Sequence, residues 1–201
     1  MRLTIPNQLT ILRILLTPVF VLLFLKETTQ GQFIASIVYI LASLTDWYDG
    51  WYARQFGVIT RWGQFMDPLA DKFLVSSALV IFAWMGYIMW WMVWIIVSRD
   101  VIVTLVRIYA IQKGTPIMTS AIAKWKTFAQ MAVILMILIF INWLNFYGPG
   151  SFTYKAQYFD FVGISMITVT LLTLISAIFY FYENGQLIWQ MMKRFFIFAS
   201  K

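Results

Sequence analysis

Residues 33–87 read FIASIVYILASLTDWYDGWYARQFGVITRWGQFMDPLADKFLVSSALVIFAWMGY, two long apolar runs separated by a polar break at Gly57–Trp62. Each run exceeds the ~20 residues an α-helix needs to cross a bilayer's hydrocarbon core. Yet each carries paired carboxylates: Asp46 and Asp49 in the first, Asp67 and Asp71 in the second. Asp46 and Asp49 are three apart and share one helix face, which Gly50 and Ala53 continue. Gly63, Asp67 and Asp71 recur every four residues and share a face in turn. A short turn between the runs predicts an antiparallel hairpin. At ~1.5 Å per residue all four carboxylates then lie roughly 5–15 Å inside one membrane boundary.

Four anions at one depth in a low dielectric repel strongly and need counter-charge. Arg54, Arg61 and Lys72 are near in sequence. A divalent cation or two would serve better, because carboxylate and water oxygens are what Mg²⁺ and Mn²⁺ prefer. Small residues at Gly50, Ala53 and Gly63 leave a groove in which a bulky ligand can approach the backbone. The alternative is a structural ion-pair network, or close helix packing at the small residues.

The rest of the chain fits the same frame. Of 201 residues, 62% are hydrophobic and 11% charged. A soluble domain is nearer half apolar and a quarter charged. About 125 apolar residues supply roughly six spans and leave no separate soluble domain. The expected fold is an all-α integral membrane protein, one domain over 1–201, with six transmembrane helices. Their expected ranges are 6–25, 33–56, 63–87, 92–112, 121–146 and 158–182, with an aromatic turn at Met89-Trp90-Trp91 and breaks at Lys113–Pro116 and Tyr147–Gly150. The tail from Gln186 mixes Trp189, Phe195 and Phe196 with Lys193, Arg194 and Lys201, a pattern for a short amphipathic interfacial helix. The chain has no Cys and no His, which excludes thiol chemistry, disulfides, and imidazole acid–base or metal chemistry. Carboxylates, hydroxyls, Lys, Arg and hard metals remain.

The net charge of +7 reads as topology and lipid headgroup attraction rather than nucleic-acid binding. Arg2, Arg54, Arg61, Lys113, Lys124, Lys126, Lys193, Arg194 and Lys201 fall on one side of the predicted spans, and Lys26 and Lys155 on the other. That bias puts both termini, and the carboxylates, at the cytoplasmic side. Trp84, Trp90, Trp91 and Trp94 then form an outer aromatic belt.

The spacing Asp46-x2-Asp49-Gly50-x2-Ala53-Arg54-x8-Gly63-x3-Asp67-x3-Asp71 resembles the motif of the CDP-alcohol phosphatidyltransferases, with all eight fixed positions present. Residues 6–13 and 60–72, Ser98-Arg99-Asp100, Arg107, and Lys124–Thr127 with Gln130 are similar to the bacterial phosphatidylglycerophosphate synthases of that family. Ala123 stands where that subfamily often has glycine.

The resemblance implies a homodimer of six-helix subunits in a bacterial cell membrane. It implies transfer of a phosphatidyl group from CDP-diacylglycerol to an alcohol, sn-glycerol-3-phosphate above all, with release of CMP. Phosphatidylglycerol or another alcohol phosphate is the alternative acceptor. Asp46, Asp49, Asp67 and Asp71 would hold two ions, Mg²⁺ or Mn²⁺. Asp71 would also act as general base, an alternative being a metal-bound alkoxide that needs little base. Gly50, Ala53, Arg54, Thr60 and Gly63, with Asn7 and Thr10, would meet CDP-diacylglycerol. Arg107, Lys124 and Lys126 are candidates for an acceptor-phosphate pocket, because cations are needed there. Arg99 and Asp100 read as either a structural pair or a support for the metal site. A cation or proton transporter, the competing class, would spread its acids across the bilayer and show repeats; neither is present.

Overall fold

The computed structural model describes residues 5–56, 61–112, 121–151 and 154–185, without the side chains of 53, 54, 61, 62, 64, 65, 111, 112 and 121. The described residues form six helices: α1 (Ile5–Phe24), α2 (Thr29–Phe56), α3 (Arg61–Trp84), α4 (Trp90–Gln112), α5 (Ala121–Tyr147) and α6 (Phe161–Glu183). Each range falls within a few residues of its expected span. Trp90 and Trp91 are an exception, opening α4 rather than forming a turn. The tail from Gln186, with its expected interfacial helix, lies outside the described residues, as does Thr60.

The surface is apolar where a soluble protein would be polar: Trp84 is 72% exposed, and Leu15, Leu22, Ile139 and Ile178 also point outward. The chain is an integral membrane protein. Helices α1, α5 (from Ile122) and α6 are long and apolar enough to cross a membrane by length and composition alone. The other three hold the paired carboxylates, Lys72, Arg99, Asp100 and Arg107.

The helices close into a ring in the order α2, α1, α3, α4, α6, α5 and back to α2. The expected α2–α3 hairpin is therefore not a packed pair. α1 lies between the two and packs on both, while they barely touch each other. The reason is on α1: Asn7, Thr10, Arg13, Thr17, Phe20 and Phe24 form one buried stripe at helical spacing. The polar half of the stripe meets the carboxylates, and the aromatic half enters the core.

That core fills the half of the ring away from the carboxylates. Phe20 stacks near Tyr39 at 5.4 Å, and Phe24 near Phe82 at 5.5 Å and Tyr87 at 6.3 Å. A polar clasp closes the same end. Gln32 of α2 donates to Tyr87 at 3.2 Å and accepts from Asn145 at 2.5 Å and Ser151 at 3.0 Å. The α5–α6 connection is pinned there by Ala156 N–H to the Gly86 carbonyl at 2.9 Å. Tyr154 donates to Asp160; burial, helped by that carboxylate, pushes the Tyr154 phenol upward. Asp160 also caps α6, accepting from Gly163 N–H at 2.7 Å. Gly163 is required: a Cβ there would stand 1.9 Å from the Gln157 carbonyl oxygen. With this end sealed, the buried charged side chains Arg13, Asp49, Asp100 and Lys126 lie toward the other end.

Candidate active site

At that end a cavity of about 630 Å³ is walled by α2, α3, α4 and α5. Asp46, Asp49 and Gly50 reach it from α2, and Asp67, Asp71 and Lys72 from α3. Opposite stand Arg99, Asp100, Thr104 and Arg107 of α4 and Lys124 of α5. The four motif carboxylates thus share one cavity although their two helices are held apart by α1.

The acidic wall is held from α1. Arg13, 0% exposed, pairs with Asp46 Oδ1 at 2.5 Å and Asp49 Oδ2 at 2.6 Å. The Thr10 hydroxyl donates to Asp67 Oδ1 at 2.5 Å and also lies 3.0 Å from the Pro6 carbonyl of its own helix. Lys72 Nζ is 2.8 Å from Asp71 Oδ2. The counter-charge expected from Arg54 and Arg61 falls on side chains outside the description; the observed cations are Arg13 and Lys72. Four carboxylates against these two leave two negative charges in excess on this wall, counting described side chains. Pro68, next to Asp67, removes one helical backbone bond where α3 enters the site.

The opposite wall is basic. Asp100, 2% exposed, sits between Arg99 Nη1 at 3.1 Å and Lys126 Nζ at 2.5 Å. Arg99 Nη2 donates to Ser176 Oγ of α6 at 2.7 Å. The carboxylate answers one of the four cations Arg99, Arg107, Lys124 and Lys126, so positive charge is in surplus. Lys124 is exposed at the cavity, whereas Lys126 is 1% exposed and engaged by Asp100.

The remaining expected residues divide as follows. Gly50 lines the cavity, and Gly63 is buried on α3. Asn7 and Thr10 are buried, and neither is among the residues lining the cavity. Ala53 and Arg54 lie on α2, with side chains outside the description. Arg13 and Ser176 escaped the site reading of the sequence. An arginine in the middle of an apolar helix was the available signal for the first; the α6 serine gave none.

The carboxylate set fits a hard divalent ion in kind, all oxygen donors on a wall with two unanswered charges. Among the described residues no three acidic side chains already close around one point. Arg13, Thr10 and Lys72 each engage carboxylate oxygens of this set.

A second cavity, about 870 Å³ and almost wholly apolar, runs between α2 and α5 from Phe33 and Asn142 to Asp46, Trp47, Phe128 and Met131. Those last four residues also line the polar cavity, so the two adjoin.

Acidic and basic walls facing each other beside an apolar groove fit an enzyme for a substrate that is part lipid, part phosphate. The model of the CDP-alcohol phosphatidyltransferase family matches residues 3–157. The chain belongs to that family and is an enzyme of it. Over 194 residues it is 31% identical to the CDP-diacylglycerol–glycerol-3-phosphate 3-phosphatidyltransferase of Bacillus subtilis, covering 90% of this chain and 95% of that protein. Proteins of the same name from Escherichia coli (strain K12) and Shigella flexneri are 35% identical over 158 residues, covering 76% of this chain and 86% of theirs.

Proposed function

We propose that the chain transfers the phosphatidyl group of CDP-diacylglycerol to sn-glycerol-3-phosphate, giving phosphatidylglycerophosphate and CMP in phospholipid biosynthesis. The observation that carries this is an apolar groove that shares a wall with a cavity acidic on one side and basic on the other. One substrate brings acyl chains and a diphosphate; the other is a soluble phosphate ester. Both need to meet at the membrane–water boundary.

In the reaction the acceptor hydroxyl oxygen bonds to the phosphorus that carries the diacylglycerol. The anhydride bond from that phosphorus to the CMP oxygen breaks, and CMP leaves. The hydroxyl proton goes to Asp71, whose Oδ2 lies 2.8 Å from Lys72 Nζ. Asp46, Asp49, Asp67 and Asp71 would hold two ions, Mg²⁺ or Mn²⁺. Bound there, the ions neutralise the diphosphate and the charge building on CMP. Arg13 fixes Asp46 and Asp49 so that these anions stay aimed at the cavity. Gly50, Ala53, Arg54, Thr60 and Gly63 meet the nucleotide end of the lipid. Arg107 and Lys124 draw in the acceptor phosphate, and Lys126 tunes that corner through Asp100.

Six membrane spans, both termini and the site on the cytoplasmic side, a homodimer and an interfacial C-terminal helix complete the reading. Its test is CMP release by the purified protein with Mg²⁺ or Mn²⁺, CDP-diacylglycerol and a panel of acceptors. Glycerol-3-phosphate should be preferred over glycerol and phosphatidylglycerol. Release of no CMP with any acceptor overturns the assignment.

A further inference from the structure

The apolar groove between α2 and α5 ends in a polar bridge. Its wall is Ile37, Ile40 and Leu44 along α2, and Leu135, Leu138 and Ile139 along α5. Ser43 also lines it, but its hydroxyl donates to the Tyr39 carbonyl of its own helix at 2.9 Å. At the end away from the carboxylates, Asn142 Nδ2 of α5 donates to Ser36 Oγ of α2 at 2.8 Å and to the Leu138 carbonyl at 2.7 Å. Ser36, a buried residue, donates in turn to the Gln32 carbonyl at 2.8 Å. Asn142 Oδ1 is buried and has no partner among the described residues. One turn further along α5, Phe146 meets Phe33 of α2 edge-on, with ring centroids 5.6 Å apart, so the two helices are joined a second time.

Helical rise sets the distance from the polar cavity to this bridge. Ser36 lies ten residues before Asp46 on α2, a rise of roughly 15 Å. One leaflet's hydrocarbon has the same depth, half of a core about 30 Å thick. An acyl chain of ordinary membrane length, with its glycerol end at Asp46 and Trp47, therefore brings its methyl end to the bridge. A longer chain has to press methylenes against an amide whose oxygen is already unpartnered, or leave the groove and lose its packing; either costs free energy. A volume of about 870 Å³ spread over such a length is too narrow for a helix, which is about 10 Å across with its side chains. It has room for a hydrocarbon chain.

We propose that the α2–α5 groove seats one acyl chain of the lipid substrate and that the Asn142–Ser36 bridge is its floor, so that the protein selects its lipid by chain length. Asn142 sets the limit, because it spans the two walls and carries the unpartnered oxygen. Phe33 and Phe146 hold the helices together behind it. That the lipid is CDP-diacylglycerol rests on the phosphatidyltransferase reading above; the floor of the groove does not.

The test uses the full chain in phosphatidylcholine nanodiscs, as wild type, Asn142→Ala and Ile40→Trp. Ile40 is an exposed residue midway along the groove, where a larger side chain shortens the groove without entering the core. The kcat/KM for CMP release is compared among CDP-dilauroylglycerol, CDP-dipalmitoylglycerol and CDP-diarachidoylglycerol. Ratios within one preparation cancel any loss of folded protein. In wild type kcat/KM should fall at least about tenfold from the dipalmitoyl to the diarachidoyl lipid. Asn142→Ala should shrink that fall to about threefold or less, and Ile40→Trp should move it, placing the dipalmitoyl lipid about tenfold below the dilauroyl. A wild type indifferent to chain length, or the same ratios in all three proteins, overturns the proposal. Loss of a dimer in Ile40→Trp with unchanged ratios means that a second copy covers the groove, which also overturns it. A CDP-diacylglycerol carrying a diazirine at the methyl end of its chains gives the second readout, by mass spectrometry of labelled peptides. The label should fall within one turn of Ser36 and Asn142 in wild type; label spread over α1 and α6 instead overturns the proposal. Labelling needs no turnover, so it decides the groove even where the wild type releases no CMP with any lipid, the result by which the transferase reading itself fails.

Discussion

Replacing Arg13 with Met removes the one cation that α1 places between Asp46 and Asp49. The guanidinium is fully buried and pairs with the two carboxylates at 2.5 and 2.6 Å. Met keeps most of the volume, so little cavity is created and the cost is electrostatic. Breaking a buried pair by deleting one partner costs about 3–5 kcal/mol, because a charge is left buried alone. For a chain of this size each kcal/mol lowers the thermal midpoint by about 2–4 °C. The expected drop is therefore roughly 6–20 °C in metal-free buffer, read by tryptophan fluorescence at a fixed scan rate in nanodiscs. The same two carboxylates then have no cation, and a divalent ion in the site should restore part of the loss. Millimolar Mg²⁺ or Mn²⁺ should raise the variant's midpoint by more than it raises the wild type's. Arg13→Lys, with a single point charge in place of a fork, should fall between the two. A metal-free Arg13→Met midpoint within about 2 °C of wild type would refute the reasoning, as would an equal metal effect on both proteins.

Other outcomes follow from the same geometry. Asp71→Asn should lower kcat by at least about 10²-fold while the chain still folds, as loss of a general base would; substantial residual turnover in a kinetic assay would refute the base role. Lys124→Ala should raise the acceptor KM more than the lipid KM, measured by CMP release, because Lys124 is exposed at the basic wall. Gly163→Ala drives a Cβ to 1.9 Å from the Gln157 carbonyl at the sealed end. It should cost about 1–3 kcal/mol as overpacking, seen as a lower midpoint with near-normal turnover per folded molecule. Exhaustive chelation should abolish CMP release, and Mg²⁺ or Mn²⁺ should restore it.

Much of the fold was legible because its signals are local. Apolar runs broken at Lys26–Gln32 and Tyr147–Gly150 mark helix ends to within a few residues whatever the tertiary arrangement, whereas the turn expected at Met89–Trp91 lies earlier, after Trp84. The motif carboxylates were legible as well, since helical spacing alone puts each pair on one face. The partners of those faces were not. Consecutive helices joined by a short turn ordinarily pack as a pair, and nothing in residues 33–87 reveals that α1 intervenes. The wedge depends on a stripe that changes from Asn7, Thr10 and Arg13 to Phe20 and Phe24, and its meaning appears only against the helices it touches. Lys126 shows the same limit. By count it belongs with the basic residues of the cytoplasmic side, two positions from the exposed Lys124. One turn geometry separates them: Lys126 turns inward to Asp100, 26 residues away in sequence. Ser176 sits in a helix that reads as plain apolar span, so its bond to Arg99 comes from packing alone.

The central claim is that the two walls of one cavity bring a lipid diphosphate and a phosphorylated alcohol together. Its most direct test is product analysis. Purified protein in nanodiscs is supplied with CDP-diacylglycerol, Mg²⁺ and isotopically labelled sn-glycerol-3-phosphate, and lipids and nucleotides are read by mass spectrometry. The account predicts a labelled lipid that retains the acceptor's own phosphate, formed in one-to-one yield with CMP. CMP without labelled lipid, or a labelled lipid that has lost that phosphate in the transfer itself, would contradict it.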